Sequence, residues 1–258
     1  MLYLILAGLI TAAPPQLEVR PLNGPALQGA LISLDAKQLK ISTDSGEKSL
    51  SIKELATASI NPPPALVTEK PSVWVQLIGG SLVHGTNYVL KDKKIALTLL
   101  SGDTLELSPS AIRTVRFQAF DEGTQEHFKR ITQADASGDV IIIRRAGKTL
   151  DELEGIVRGI NEDTILFEFD GDKIPVDREK VFGIRYYQAA GKTLPAPVCQ
   201  ILDTSGSRLV VQAASIQSDQ LELQTVSGVT IKLPLSRLIT LDFSSGNLVY
   251  LSDLAATQ

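Results

Sequence analysis

The chain has 258 residues, 43% of them hydrophobic and 21% charged, and carries a formal net charge of -4. That balance excludes an intrinsically disordered chain, and the even spread of lysine and arginine argues against a nucleic-acid binder, which usually carries a concentrated basic patch. A single cysteine, Cys199, excludes an internal disulfide framework and any clustered-cysteine zinc site.

Residues 1–13 read MLYLILAGLITAA. An apolar run followed by small residues has the form of a secretory signal segment. It is shorter than the about twenty residues of a membrane-spanning helix. The expectation is an exported protein (periplasmic, cell-envelope or extracellular) with no integral span beyond this segment.

The rest of the chain repeats a pattern. Counted from Gly102, apolar residues fall three, five, ten, thirteen and fifteen positions later, at Leu105, Leu107, Ile112, Val115 and Phe117. From Gly171 the same offsets give Ile174, Val176, Val181, Ile184 and Tyr186, and from Gly228 they give Ile231, Leu233, Leu238, Leu241 and Phe243. A looser copy runs from Gly46 through Leu50, Ile52, Leu55, Ala58 and Ile60, slipped by about one residue. Period-two alternation broken by Gly, Asn and Asp marks short antiparallel strands. The fold class expected is therefore all-β: four tandem SH3-like or Sm-like small barrels with one short helical insert.

In chain order, residues 17–60 form the first expected barrel, with a single tight turn over Lys53 to Thr57 before its last strand. The linker Asn61-Pro62-Pro63-Pro64 follows, stiff and unable to join a ladder. The second barrel covers 73–117; Gly85 precedes Gly102 by the interval that separates Gly29 from Gly46. Trp74 aligns with Glu18 and should point outward, which makes it a candidate ligand-binding aromatic; contact with a neighbouring barrel is the plainer reading. Residues 119–137 break the repeat. Phe120, His127, Phe128 and Ile131 among charged residues predict a short amphipathic helix packed on an adjacent barrel.

The third barrel covers 139–186. Val140-Ile141-Ile142-Ile143 reads as a strand covered on both faces, and Asp170-Gly171 as a hairpin turn. Tyr186 should be core and Tyr187 outward, a second candidate for stacking on a ligand. The fourth barrel covers 198–243, with Cys199 on its inward side as a small buried hydrophobe. Residues 244–258 form a tail.

The block Gly246 to Leu254, preceded by Leu241-Asp242-Phe243, resembles a junction in secreted planctomycete-type bacterial proteins, where small β repeats lead into a carbohydrate-binding module. Val73-Trp74-Val75, Ile112 to Phe117, Gly138-Asp139-Val140, Pro197-Val198-Cys199 and Leu233-Pro234-Leu235 are similar as well. The resemblance implies an exported run of repeats without an established activity of its own. It covers the region before the module, which is missing here, so none of the module's sugar-binding residues has a counterpart.

Chemistry-bearing motifs are scarce. There is no Gly-rich phosphate loop, no His-Glu-x-x-His and no Gly-x-Ser-x-Gly. His84 and His127 fall in different segments, and Asp151, Glu152 and Glu154 adjoin a strand start where solvent meets them. No catalytic residue, cofactor or metal is expected. The sequence reading is a non-catalytic exported scaffold that binds a protein or cell-envelope polysaccharide, without nucleic acid. Carbohydrate binding through Trp74 or Tyr187 and Sm-like RNA binding are the alternatives.

Overall fold

The computed structural model describes residues 15–145, 149–189, 191, 193–217 and 219–244. The signal-like segment 1–13, and the 244–258 tail apart from Ser244, lie outside the described residues. The protein is all-β; among the described residues there is one α-helix, and the strands fall into four successive sets of five. The first is β1 (Gln16–Pro21), β2 (Leu27–Leu34), β3 (Gln38–Thr43), β4 (Gly46–Ser51) and β5 (Leu55–Ile60). The second is β6 (Val73–Leu77), β7 (Leu82–Lys91), β8 (Lys94–Leu99), β9 (Thr104–Leu107) and β10 (Ile112–Arg116). Helix α1 (Thr124–Gln133) intervenes. The third set is β11 (Asp139–Arg144), β12 (Leu150–Ile160), β13 (Thr164–Phe169), β14 (Asp172–Asp177) and β15 (Val181–Arg185). The fourth is β16 (Cys199–Asp203), β17 (Arg208–Gln217), β18 (Gln220–Thr225), β19 (Thr230–Pro234) and β20 (Leu238–Asp242).

Each set is wired alike. Its first strand pairs antiparallel with both the second and the fifth, the second pairs with the third, and the third with the fourth. A one-turn 3-10 segment joins fourth strand to fifth. In the first repeat it covers Ile52–Glu54. The turn expected over Lys53 to Thr57 is thus displaced toward the N-terminus, because buried Leu55 already belongs to the ladder with β1. Every second strand also changes register against the third, at Leu31/Ser33, Gly85/Asn87, Val157/Gly159 and Val211/Ala213. Such an irregularity bends a strand and raises its twist.

Glycine is required at two kinds of position. Gly46, Gly102, Gly171 and Gly228, the anchors of the sequence repeat, all have positive φ between 84° and 106°. At Asp170-Gly171 both residues are left-handed (φ 50° and 85°), as a two-residue type I′ hairpin demands. Gly85, in contrast, has an ordinary φ but no room: a Cβ would lie 2.5 Å from the Thr98 carbonyl oxygen, where β7 crosses β8.

The repeats do not join in chain order. The fifth strands of repeats two and three pair antiparallel, with Val115 opposite Ile184, and those of repeats four and one pair with Leu241 opposite Ala58. Val115, Ile184 and Leu241 each stand thirteen residues after their anchor glycine, and Ala58 is their counterpart in the slipped first copy. Equivalent residues therefore face one another across a local two-fold axis. The flanking backbone bonds obey the same exchange: the Phe117 N–H donates to the Phe182 carbonyl, and the Tyr186 N–H to the Arg113 carbonyl. Repeats two and four touch through β7 and β17. Ser81 Oγ accepts from the Val210 N–H at 2.9 Å, and the His84 N–H donates to Ser207 Oγ at 3.0 Å. One continuous apolar cluster runs through all four repeats.

Helix α1 covers the outer face of repeat three. Phe128 and Ile131 pack on Val140, Ile142, Leu150 and Phe182, while Ile141 turns into the main cluster. Val140 to Ile143 is thus an apolar run because each of its faces has a neighbour. Burying Phe128 alone is worth about 2 kcal/mol.

Candidate functional site

The junction of repeats two and three carries the densest chemistry. On the inside, the Tyr88 hydroxyl donates to the Tyr186 hydroxyl at 2.9 Å. Burial raises both phenols above their ordinary acidity range, and their mutual contact raises Tyr88 further. The rings bring apolar area from both repeats, and the hydroxyls satisfy each other, so a polar pair sits in the core without an orphan. Arg178 reaches across from repeat three, donating to the Tyr88 carbonyl at 3.1 Å and the Asn161 carbonyl at 2.7 Å, with its guanidinium 4.7 Å above the Phe117 ring.

On one outer side, Arg116 lies between two aromatic faces, 3.9 Å from the centroids of both Trp74 and Phe120. Trp74 stands directly opposite Arg116 in the β6–β10 ladder, so the stack follows from register. Burial lowers the Arg116 guanidinium to about 10, and the side chain also donates to the Gln118 carbonyl. Trp74 is half-buried, with Arg116 over one face and His84 edge-on at 6.5 Å. His84 Nδ1 in turn meets the Ser205 carbonyl of repeat four at 2.8 Å. Tyr187 is 48% exposed, and its backbone N–H donates to Asp139 Oδ1. The two aromatics singled out in the sequence are held by separate groups of residues and do not share a cleft.

On another side lies a cavity of about 270 Å³, bounded by Arg113 of β10, Arg185 of β15, Ile78 of the β6–β7 turn, and Tyr186, Gln188 and Leu194 of the segment after β15. Gln188 is fixed there by donating its amide N–H to the Ile112 carbonyl at 2.7 Å. Arg113 is exposed and Arg185 half-buried. Neither makes an ion pair among the described residues, and no carboxylate is among the residues lining the cavity. Arg185 acts at longer range on Glu154. That carboxyl is held below its usual range mainly by the Ser137 hydroxyl and N–H, with Arg185 a smaller influence. Sequence reading missed this site, since Arg113 and Arg185 are far apart in the chain and converge only through the fifth-strand ladder.

The remaining sequence candidates are structural. Cys199 is fully buried in β16, and burial pushes its thiol up to about 12, so little reactive thiolate forms at neutral pH. His127 Nδ1 accepts from the Leu150 N–H at 3.3 Å, tying the helix to β12. Among the described residues no three His, Cys, Asp or Glu side chains are grouped to hold a metal ion, and no helix is long and apolar enough to cross a membrane. Compared with known proteins, the chain matches no family model, and no curated protein matches it.

Proposed function

We propose that each five-stranded repeat closes into a small SH3-like or Sm-like barrel and that the four together are an exported, non-catalytic scaffold that binds a cell-envelope polysaccharide. Three features support closure: the first strand pairs on both sides, the second strand is bent by a register change, and glycine stands where second and third strands cross in repeats one to three. The observation that carries the scaffold reading is the pairing of fifth strands between repeats. It joins the repeats two by two, and the β7–β17 contacts link the two pairs, so that four units, each too small to bury a large core, become one continuous body. The composite junctions thereby offer surface that a single repeat lacks. Export rests on the signal-like residues 1–13 and on the resemblance to secreted repeat proteins.

The test is to express the full chain with its own start in a bacterial host, recover it from the exported fractions, and sediment it with insoluble envelope polysaccharide. Saturable retention, with no release of new reducing ends from the polymer, is the expected result. Retention accompanied by polymer cleavage would make the protein a hydrolase. Salt-sensitive binding to a single-stranded RNA oligomer, with no polymer retention, would replace this reading by the nucleic-acid alternative.

A further inference from the structure

We infer that the cavity between Arg113 and Arg185 binds a carboxylate-bearing sugar, the uronic-acid unit of an acidic polysaccharide. This inference rests on the polymer-binding reading and names the chemistry of its ligand. Guanidinium groups recognise carboxylates through paired N–H donors; Arg113 and Arg185 line this one cavity from different repeats, and neither makes an ion pair among the described residues. An anion seated in the cavity meets positive charge from both repeats. The Tyr186 N–H bond to the Arg113 carbonyl, 3.0 Å long, and the Thr114–Arg185 register keep the two arginines in step.

The other walls narrow the class. Ile78 and Leu194 are apolar, which suits the C–H face of a sugar ring, while Gln188, held by its own bond to Ile112, keeps an amide oxygen to accept from hydroxyl groups. A volume of about 270 Å³ suits one sugar ring. Inorganic phosphate or sulfate would satisfy the arginines but leave the apolar wall without a partner.

The experiment is calorimetric titration of the full chain with trigalacturonate, with maltotriose as the uncharged control and inorganic phosphate as competitor. Trigalacturonate should bind at least about tenfold more tightly than maltotriose, and Arg113→Gln and Arg185→Gln should each weaken it about tenfold or more, the loss expected for a charged hydrogen-bonded contact. Arg113→Lys, which keeps the charge on an exposed side chain but not the paired donors, should give a smaller loss. Unchanged melting temperatures identify the effect as local. Equal binding of trigalacturonate and maltotriose, full displacement by an equimolar amount of phosphate, or unaltered binding by the glutamine variants would each overturn the assignment. If the double variant Arg113→Gln with Arg185→Gln still sediments with envelope polysaccharide, the pocket assignment falls while the scaffold reading stands. If wild type sediments with no polysaccharide, the scaffold reading falls with it.

Discussion

Replacing Gly85 by alanine is the sharpest perturbation of the repeat itself. The added Cβ would lie 2.5 Å from the Thr98 carbonyl oxygen and 2.6 Å from Leu97 Cδ1. The leucine methyl can rotate away, but the carbonyl belongs to the β7–β8 ladder, so backbone must move. Overpacking of this kind costs about 1–3 kcal/mol, against a gain of about 0.4–1 kcal/mol from the stiffer unfolded chain. The net loss expected is about 1–2 kcal/mol. Scanning calorimetry reads it in a way that also reports the size of the folding unit. A cooperative body of some two hundred residues should lose about 2–4 °C per kcal/mol in one transition. A repeat melting alone would lose about twice that and split the endotherm. Gly29 and Gly155 face the same obstacle, with carbonyl oxygens at 2.5 Å and 2.4 Å, and should behave alike. A melting temperature that is unchanged or raised in Gly85→Ala would refute the reasoning.

Two further outcomes follow from the same physics. Gly102 has φ 84° with open space around its Cβ position, so Gly102→Val should lower stability by about 1–2 kcal/mol through backbone strain alone, and Gly102→Asn should recover part of it, both read by thermal denaturation. Alkali should destabilise the protein. The Cys199 thiol is raised from 9.0 to about 12 in the folded state. Tyr88 and Tyr186 are raised above 10.0. The unfolded chain therefore loses these protons first, and the stability they contribute is complete below about pH 9 and is lost as pH climbs toward the folded values. The melting temperature should fall steadily above that point, and less steeply in Tyr186→Phe, which removes one of the titrating groups. A slope identical in wild type and variant would count against the buried tyrosine pair.

Much of the local structure could be read from residues whose identity the backbone dictates. The anchor glycines betrayed the repeat because a positive φ admits little else, and Asp170-Gly171 marked its hairpin for the same reason. Period-two alternation marked the strands, and the unbroken run Val140 to Ile143 betrayed a strand with neighbours on both faces. What could not be read was the order in which repeats join. The fifth strands look alike in sequence, so Val115 carries no mark that directs it to Ile184 rather than to Ala58. Contacts between residues remote in the chain accompany that choice, such as the Tyr88–Tyr186 hydroxyl pair between repeats two and three. Trp74 shows the limit from the other direction. Its alternation placed it outward, yet Arg116 covers one of its faces and is itself backed by Phe120, because alternation reports the face of a sheet and not what covers that face. The arginine cavity was invisible for the same reason as the joining order, being made by that order.

The pairing of repeat one with repeat four is the most direct consequence of this architecture that can be measured. The Phe243 N–H donates to the Ala56 carbonyl at 2.9 Å, and three residues along each strand from that bonded pair stand Thr240 and Ser59, with hydroxyls 2.9 Å apart. They form a non-hydrogen-bonded antiparallel pair, for which a Cα separation of about 4.5 Å lies within disulfide reach. In a Cys199→Ala background, Ser59→Cys with Thr240→Cys should oxidise to an intramolecular disulfide across 181 residues, seen as a faster-migrating non-reduced band and a raised melting temperature. Thiols that stay free under the same oxidation, or that link only between molecules, would contradict the joining of the first repeat to the fourth.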